Sequence, residues 1–334
     1  MFGSNHEQFP DLTFQVQFEK NHLRHVATWI GVLMIVMTVL LQFTFPVIAI
    51  FLSSIGYLPE NFHSEEYLGI GNTAYLCLYA GVYAFIMGVP ILIAYSKRQL
   101  FSKKFFKRTF TFGTTFLMIL AAVGGCMLAN IITNYLLVFL NSWGVPIPQS
   151  PQLLEPSLTS FLLCLFVIAV LPAILEEMLF RGCVLRSLRS FGDGFAILIS
   201  AVLFGLMHGN IRQIPFATIV GLILGWMYVV TNSLVLPMVV HFINNALSVV
   251  MQYTAFYISE TDVAFFQASV IYWLVIVGVF FAVLLFIFKR PQLRLERQIT
   301  ALRFGEKVLS LFRSVIFIVS IALFIILTGL ELMG

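Results

Sequence analysis

Two adjacent glutamates, an arginine four residues on and two distant histidines are the side chains of this sequence best suited to chemistry. Glu176 and Glu177 sit in the run LPAILEEMLFRG, residues 171–182, and are the acidic residues clearly embedded in apolar sequence. Of six histidines, His208 in FGLMHGN and His241 in HFINN lie in apolar runs. Ionisable groups inside a membrane are costly and usually functional. A carboxylate embedded in apolar sequence without a local partner is suited to work as a general base or acid.

Spacing sharpens the set. Glu177 and Arg181 are four apart, so on a helix they share a face and can pair. Glu176 is then about 100° round the same helix, with no local partner. Phe204 and His208 share a face in the same way, as do His241 and Asn245. The turn at Ser190–Gly194 makes a hairpin of the two runs before and after it. Counting from that turn puts Glu176 and His208 both roughly 20 Å away, at one depth, at ~1.5 Å per residue. His241 approaches the same layer, with a looser match.

The elements that must position these groups are membrane helices. The chain has 334 residues, 60% hydrophobic and 10% charged, with a mean hydropathy of +0.98. An ordinary soluble domain is about 25% charged. That excludes a soluble enzyme, a disordered chain and a nucleic-acid binder. A crossing helix needs about 20 apolar residues. Such stretches fall near 26–52, 72–95, 112–140, 158–186, 194–208, 215–231, 234–257, 265–288 and 311–330, the fifth of them short. Continuous apolar runs exclude alternating strands, and a backbone in lipid must satisfy its own hydrogen bonds. The fold expected is all-α, a polytopic transmembrane bundle of eight or nine spans.

Eighteen of the 19 basic residues fall on one side of such a bundle. They are Lys20 and Arg24, the six of loop 96–111, Arg181, Arg186 and Arg189, and the seven between Lys289 and Arg313. Glu60, Glu65, Glu66, Glu155, Glu260 and Asp262 fall on the other side. Basic segments mark the cytoplasm, so the N-terminus is expected inside, in a multi-pass protein of the plasma membrane. Arg212 is the exception. It follows His208 by four residues, where it either snorkels to the interface or contacts substrate.

The first 20 residues, polar and mixed, predict no cleavable signal peptide. Phe14, Val16 and Phe18 at alternate positions suggest an arm lying on the membrane surface. Cys77, Cys126, Cys164 and Cys183 are dispersed and read as small hydrophobes. The proline-rich loop 141–157 is the main break. The expected division is a cytoplasmic arm over 1–24, three spans over 25–154, the chemistry-bearing core over 155–250 and two spans over 251–334.

Glu176-Glu177-x-x-x-Arg181, then Phe204-x-x-x-His208, then His241-x-x-x-Asn245 resembles the motif series of the CAAX protease and bacteriocin-processing family. That family, also called Abi, includes type II CAAX prenyl endopeptidases and bacteriocin-immunity and lysostaphin-resistance proteins. The resemblance covers about residues 155–250. It implies an intramembrane endopeptidase with a cavity open toward the cytoplasm. Glu176 would activate water, and His208 and His241 would hold that water or the oxyanion, with Asn245 assisting. Glu177 and Arg181 would support the motif helix, beside Phe204. The substrate would be a CAAX-type protein or peptide precursor in or at the lipid bilayer. Metal use stays open: Glu176, His208 and His241 could ligate zinc, or the family member could be a metal-free glutamate protease. A HExxH helix is absent, as is a Gly-x-Ser-x-Gly elbow. Ser190-Phe191-Gly192-Asp193 resembles part of an aspartyl-protease motif, but Asp193 reads as a turn residue.

Two other classes fit embedded Glu and His. An ion- or proton-coupled transporter would use them as a pathway, and would be expected to show a repeat in its two halves, which the sequence lacks. A non-catalytic immunity or regulatory scaffold would keep its phenotype after loss of Glu176 and His208.

Overall fold

The computed structural model describes residues 12–59, 61–62, 65–96, 110–148, 153–295, 298 and 300–333. The first eleven residues, Glu60, His63, the basic run 97–108, Pro151 and Arg297 therefore lie outside the described residues.

The apolar runs fold as helices. They are α1 (Leu12–Ser54), α2 (Asn72–Ser96), α3 (Phe112–Ser142), α4 (Leu158–Phe191), α5 (Asp193–Leu206), α6 (Ile214–Thr231), α7 (Val235–Thr254), α8 (Glu260–Lys289), α9 (Phe304–Leu311) and α10 (Val315–Met333). Eight of these are long and apolar enough to cross a membrane, so the chain is a multi-pass membrane protein. The ninth expected run is α5, which has only 14 residues. Local sequence sets several boundaries. Thr111 and Ser157 cap α3 and α4 by accepting from the backbone N–H groups of Thr114 and Ser160. Asn232, in the left-handed region at φ 47°, ends α6 and allows the short turn into α7. Gly192, at φ 115°, turns the chain between α4 and α5.

The helices alternate in direction around α4. At the tightest crossing Gly124 of α3 meets Gly278 of α8, and a Cβ on either would collide with the other's backbone. Met118 and Leu285 border one cavity and Asn134 and Gln267 another, so α3 and α8 run antiparallel. Phe191 O at the end of α4 accepts from Lys307 Nζ at 2.6 Å, and Glu306 pairs with Lys20 of α1 at 3.3 Å. Arg189 reaches Asn232 at 3.2 Å. The start of α1, the end of α4, the α6–α7 turn and α9 therefore share one end of the bundle. Asn72, at the start of α2, donates to Leu153 O at 2.7 Å, which ties the loops 65–71 and 153–157 together at the other end.

The surface-lying arm is corrected. From Leu12 onward the segment forms the first turns of α1. Phe14 and Phe18 stack at helical spacing, Glu19 accepts from the backbone N–H of Ala301, and Leu23 is fully buried. The alternation of Phe14, Val16 and Phe18 gives way to the i, i+4 period because the helix has α9 to dock against. Asp193 is not in the turn itself but opens α5 just after Gly192, buried and paired with Arg189 at 2.8 Å. Arg181 is no marker of a helix end, since it lies inside the bundle at 1% exposure.

Candidate active site

α4 carries the paired glutamates between two π-helical turns, Leu165–Val170 and Met178–Leu185. Such turns insert an extra residue and recur at functional sites. Pro172 sits just after the first. It has no N–H to give, and in an α-helix the carbonyl it leaves short is that of residue 168. Asn245 Nδ2 on α7 donates to Ile168 O at 2.9 Å. The asparagine thus satisfies a break in α4, and its amide nitrogen is committed to the backbone.

Glu177 faces the dry side. It is wholly buried, and its Oε1 accepts from Arg181 Nη1 at 2.7 Å and from His241 Nδ1 at 2.9 Å. Arg181 Nη2 also donates to Gly221 O at 3.3 Å, and its guanidinium lies over the Phe204 ring at 4.4 Å. Phe204 is the hub of this layer. Its ring meets Phe180, His208 and His241 edge-on at 5.2, 5.3 and 5.9 Å.

Glu176 faces the other way. Tyr83 of α2 donates to its Oε1 at 2.5 Å, while Oε2 is buried and has no hydrogen-bond partner. Glu176 Oε2 stands 3.8 Å from His241 Nε2. This carboxylate borders a cavity of about 780 Å³, along with Tyr79, Tyr83, His208, His241, Asn244 and Arg212. A second cavity of about 690 Å³, between α3, α6 and α8, is lined by apolar side chains and Arg294 and holds none of the motif residues.

The histidines are set in matching ways. A carbonyl or carboxylate oxygen only accepts, so the Nδ1 of each ring carries the shared hydrogen. His208 donates to Phe204 O at 2.9 Å, and His241 donates to Glu177. A neutral ring then keeps its Nε2 lone pair for other work. Glu177 orients His241, as a carboxylate does behind a catalytic imidazole.

Of the residues expected from sequence, Glu176, Phe204, His208, Arg212, His241 and Asn245 border one cavity, while Glu177 and Arg181 lie behind it. Sequence reading gives Glu176 no partner and misses Tyr83, which lies outside the 155–250 segment. The signal was present: Tyr75, Tyr79 and Tyr83 recur every four residues along α2, and their rings follow one another at 6.4 and 6.3 Å. It also passes over Asn244, buried on the cavity wall with Oδ1 unpartnered and Nδ2 donating to Asn245 Oδ1 at 3.0 Å. Among the described residues no three His, Cys, Asp or Glu side chains converge as a metal's donor set. That holds for Glu176, His208 and His241.

The cavity runs from Glu176 toward the end of the bundle that holds the 153–157 and 207–213 loops. On the opposite side of Glu176, Phe180, Arg181, Val184, Leu185 and Leu188 close α4 completely. The resemblance implied a cavity open to the cytoplasm, and the charge pattern implied a cytoplasmic basic end. In this structure those two expectations point to opposite ends.

A family profile described as type II CAAX prenyl endopeptidase Rce1-like matches residues 158–247. YdiL of Bacillus subtilis (strain 168), a protein designated a membrane peptidase, is 31% identical over 91 residues. That stretch is 27% of this chain and spans 37% of the length of YdiL. No solved structure matches the chain. The profile match falls on the segment that carries the three motifs.

Proposed function

We propose, from the premise that residues 158–247 belong to the CAAX protease and bacteriocin-processing family, that this protein is an intramembrane endopeptidase with Glu176 as its base. One observation carries the reading. Glu176 offers a buried, unpartnered oxygen to a polar cavity, beside a histidine held by a second carboxylate. The 3.8 Å separation from His241 Nε2 suits one water bridging both groups. Glu176 takes the proton of that water as its oxygen bonds to the scissile carbonyl carbon. His208 and His241, when protonated, and the Asn244 amide are the donors available to the oxyanion. The proton held by Glu176 then passes to the amine as the C–N bond breaks. Tyr83 fixes the carboxylate, and Arg212 at the wall is placed to contact a substrate backbone or carboxylate.

The substrate in this reading is a membrane-associated protein or peptide precursor. The enzyme sits in the plasma membrane with its N-terminus cytoplasmic. Purified protein in detergent should cleave a peptide library, and Glu176→Gln should lower the rate by ~10²–10⁴-fold. Cleavage by that variant at the wild-type rate would remove the mechanism.

A further inference from the structure

Charge and cavity divide the molecule lengthwise. Lys20, Arg24, Arg186, Arg189, Lys289 and Lys307 lie at the end where α1 starts and α4 finishes. Glu65, Glu66, Glu155, Glu260 and Asp262 lie at the other. Arginine and lysine in short loops hold a membrane protein's basic end in the cytoplasm. The Glu176 cavity opens at the acidic end. Its wall includes Asn134 near the end of α3, Gln252 near the end of α7, Gln267 in the first turns of α8 and Glu331 at the end of α10. Toward the basic end, Phe180, Arg181 and Leu185 are packed at no more than 1% exposure. A run of aromatic rings follows the same route. Tyr67 in the acidic-end loop leads to Tyr75, Tyr79 and Tyr83, with ring spacings of 5.7, 6.4 and 6.3 Å, and Tyr83 meets Glu176.

We infer that substrate reaches Glu176 from the non-cytoplasmic face, and that it is an extended segment of an exported or membrane-anchored polypeptide exposed there. A cytoplasmic C-terminal tail would have to cross the packed half of α4 to reach this carboxylate. Of these tyrosines, Tyr79 and Tyr83, with rings 10° from parallel, supply an apolar wall for the chain, and Asn134, Gln252 and Gln267 supply amide partners for its backbone. This inference rests on the endopeptidase reading for what is cleaved, while the direction of access rests on charge and packing alone.

Single cysteines separate the two. In a Cys77→Ser background, which removes the exposed native thiol, Asn134→Cys and Gln252→Cys probe the cavity, and Ser96→Cys probes the basic end of α2. A membrane-impermeant maleimide added to intact cells should label the first two at least ten times faster than Ser96→Cys. Ser96→Cys should label only after permeabilisation. The opposite pattern overturns the inference. In right-side-out vesicles, a peptide library added outside should be cleaved by wild type and spared by Glu176→Gln. Outside labelling without any cleavage overturns the endopeptidase reading and the polypeptide substrate, and leaves the direction of access standing.

Discussion

On one side of α4, Glu177 accepts from Arg181 and His241, packs beside Phe204 and has no exposure to solvent. One residue earlier, Glu176 takes its single hydrogen bond from Tyr83 of the neighbouring α2, 93 residues away in the chain; each glutamate keeps a buried Oε2 without a hydrogen-bond partner, and what separates them is the large cavity that Glu176 borders. The same side chain is used for two purposes, and packing decides which. Where Arg181, Phe180 and Phe204 exclude water, a carboxylate becomes a support that aims another group. Where Tyr79, Asn244 and His208 leave space, it can take a proton.

The comparison is open to breaking from either side. The largest effect is expected at the dry side. Arg181→Met strands the buried Glu177 charge, and removing one member of a buried pair costs about 3–5 kcal/mol. Thermal unfolding in detergent should show a large drop in Tm, partly restored in the Arg181→Met, Glu177→Gln double variant. Glu176→Gln should leave the Tm close to wild type. An equal drop for Glu176→Gln would mean that both glutamates are structural.

A smaller effect is expected at Tyr83. Tyr83→Phe removes a bond to a charged group worth about 1.5–3 kcal/mol, so kcat should fall about 10- to 100-fold. The fold should survive, and KM should change little. A shift in KM alone would place Tyr83 in the substrate wall and not behind the carboxylate.

Smaller still is the contrast between neighbouring asparagines. Asn245→Ala exposes the Ile168 carbonyl that Pro172 leaves short, and should lower stability by about 1–2 kcal/mol while cleavage persists. Asn244→Ala should do the reverse, with stability held and kcat reduced. Matching losses for the two variants would erase the distinction. The least effect is expected from chelators. Treatment with EDTA or 1,10-phenanthroline should leave the rate unchanged, since no donor triad converges among the described residues. Loss of activity that zinc restores would overturn the water-only scheme.

Much of this site was legible in one dimension. Embedded ionisable residues are rare enough that Glu176, Glu177, His208 and His241 stand out unaided, and i, i+4 spacing correctly pairs Glu177 with Arg181. Counting outward from the Ser190–Gly194 turn was enough to bring Glu176 and His208 to one cavity. Tyr83 escaped because tyrosine is common in membrane spans, and only three-dimensional packing brings α2 against α4. The role of Asn245 escaped for a different reason. It depends on a missing N–H in another helix, and a sequence motif shows the asparagine without showing the carbonyl it serves. The π-helical turns of α4 have no periodic signature in a run that is apolar on every side.

The brevity of α5 has a consequence for the lipid around it. Fourteen residues make a helix of about 21 Å, against a hydrocarbon core of about 30 Å. The polar turn 207–213 that follows must sit well below the nearer headgroups or draw them inward. Thinning of this kind costs fractions of a kcal/mol per Å and lets water and charged groups descend beside the protein. His208 and Arg212 stand in that turn, so bilayer thickness itself would bear on how far water and polar groups descend toward Glu176.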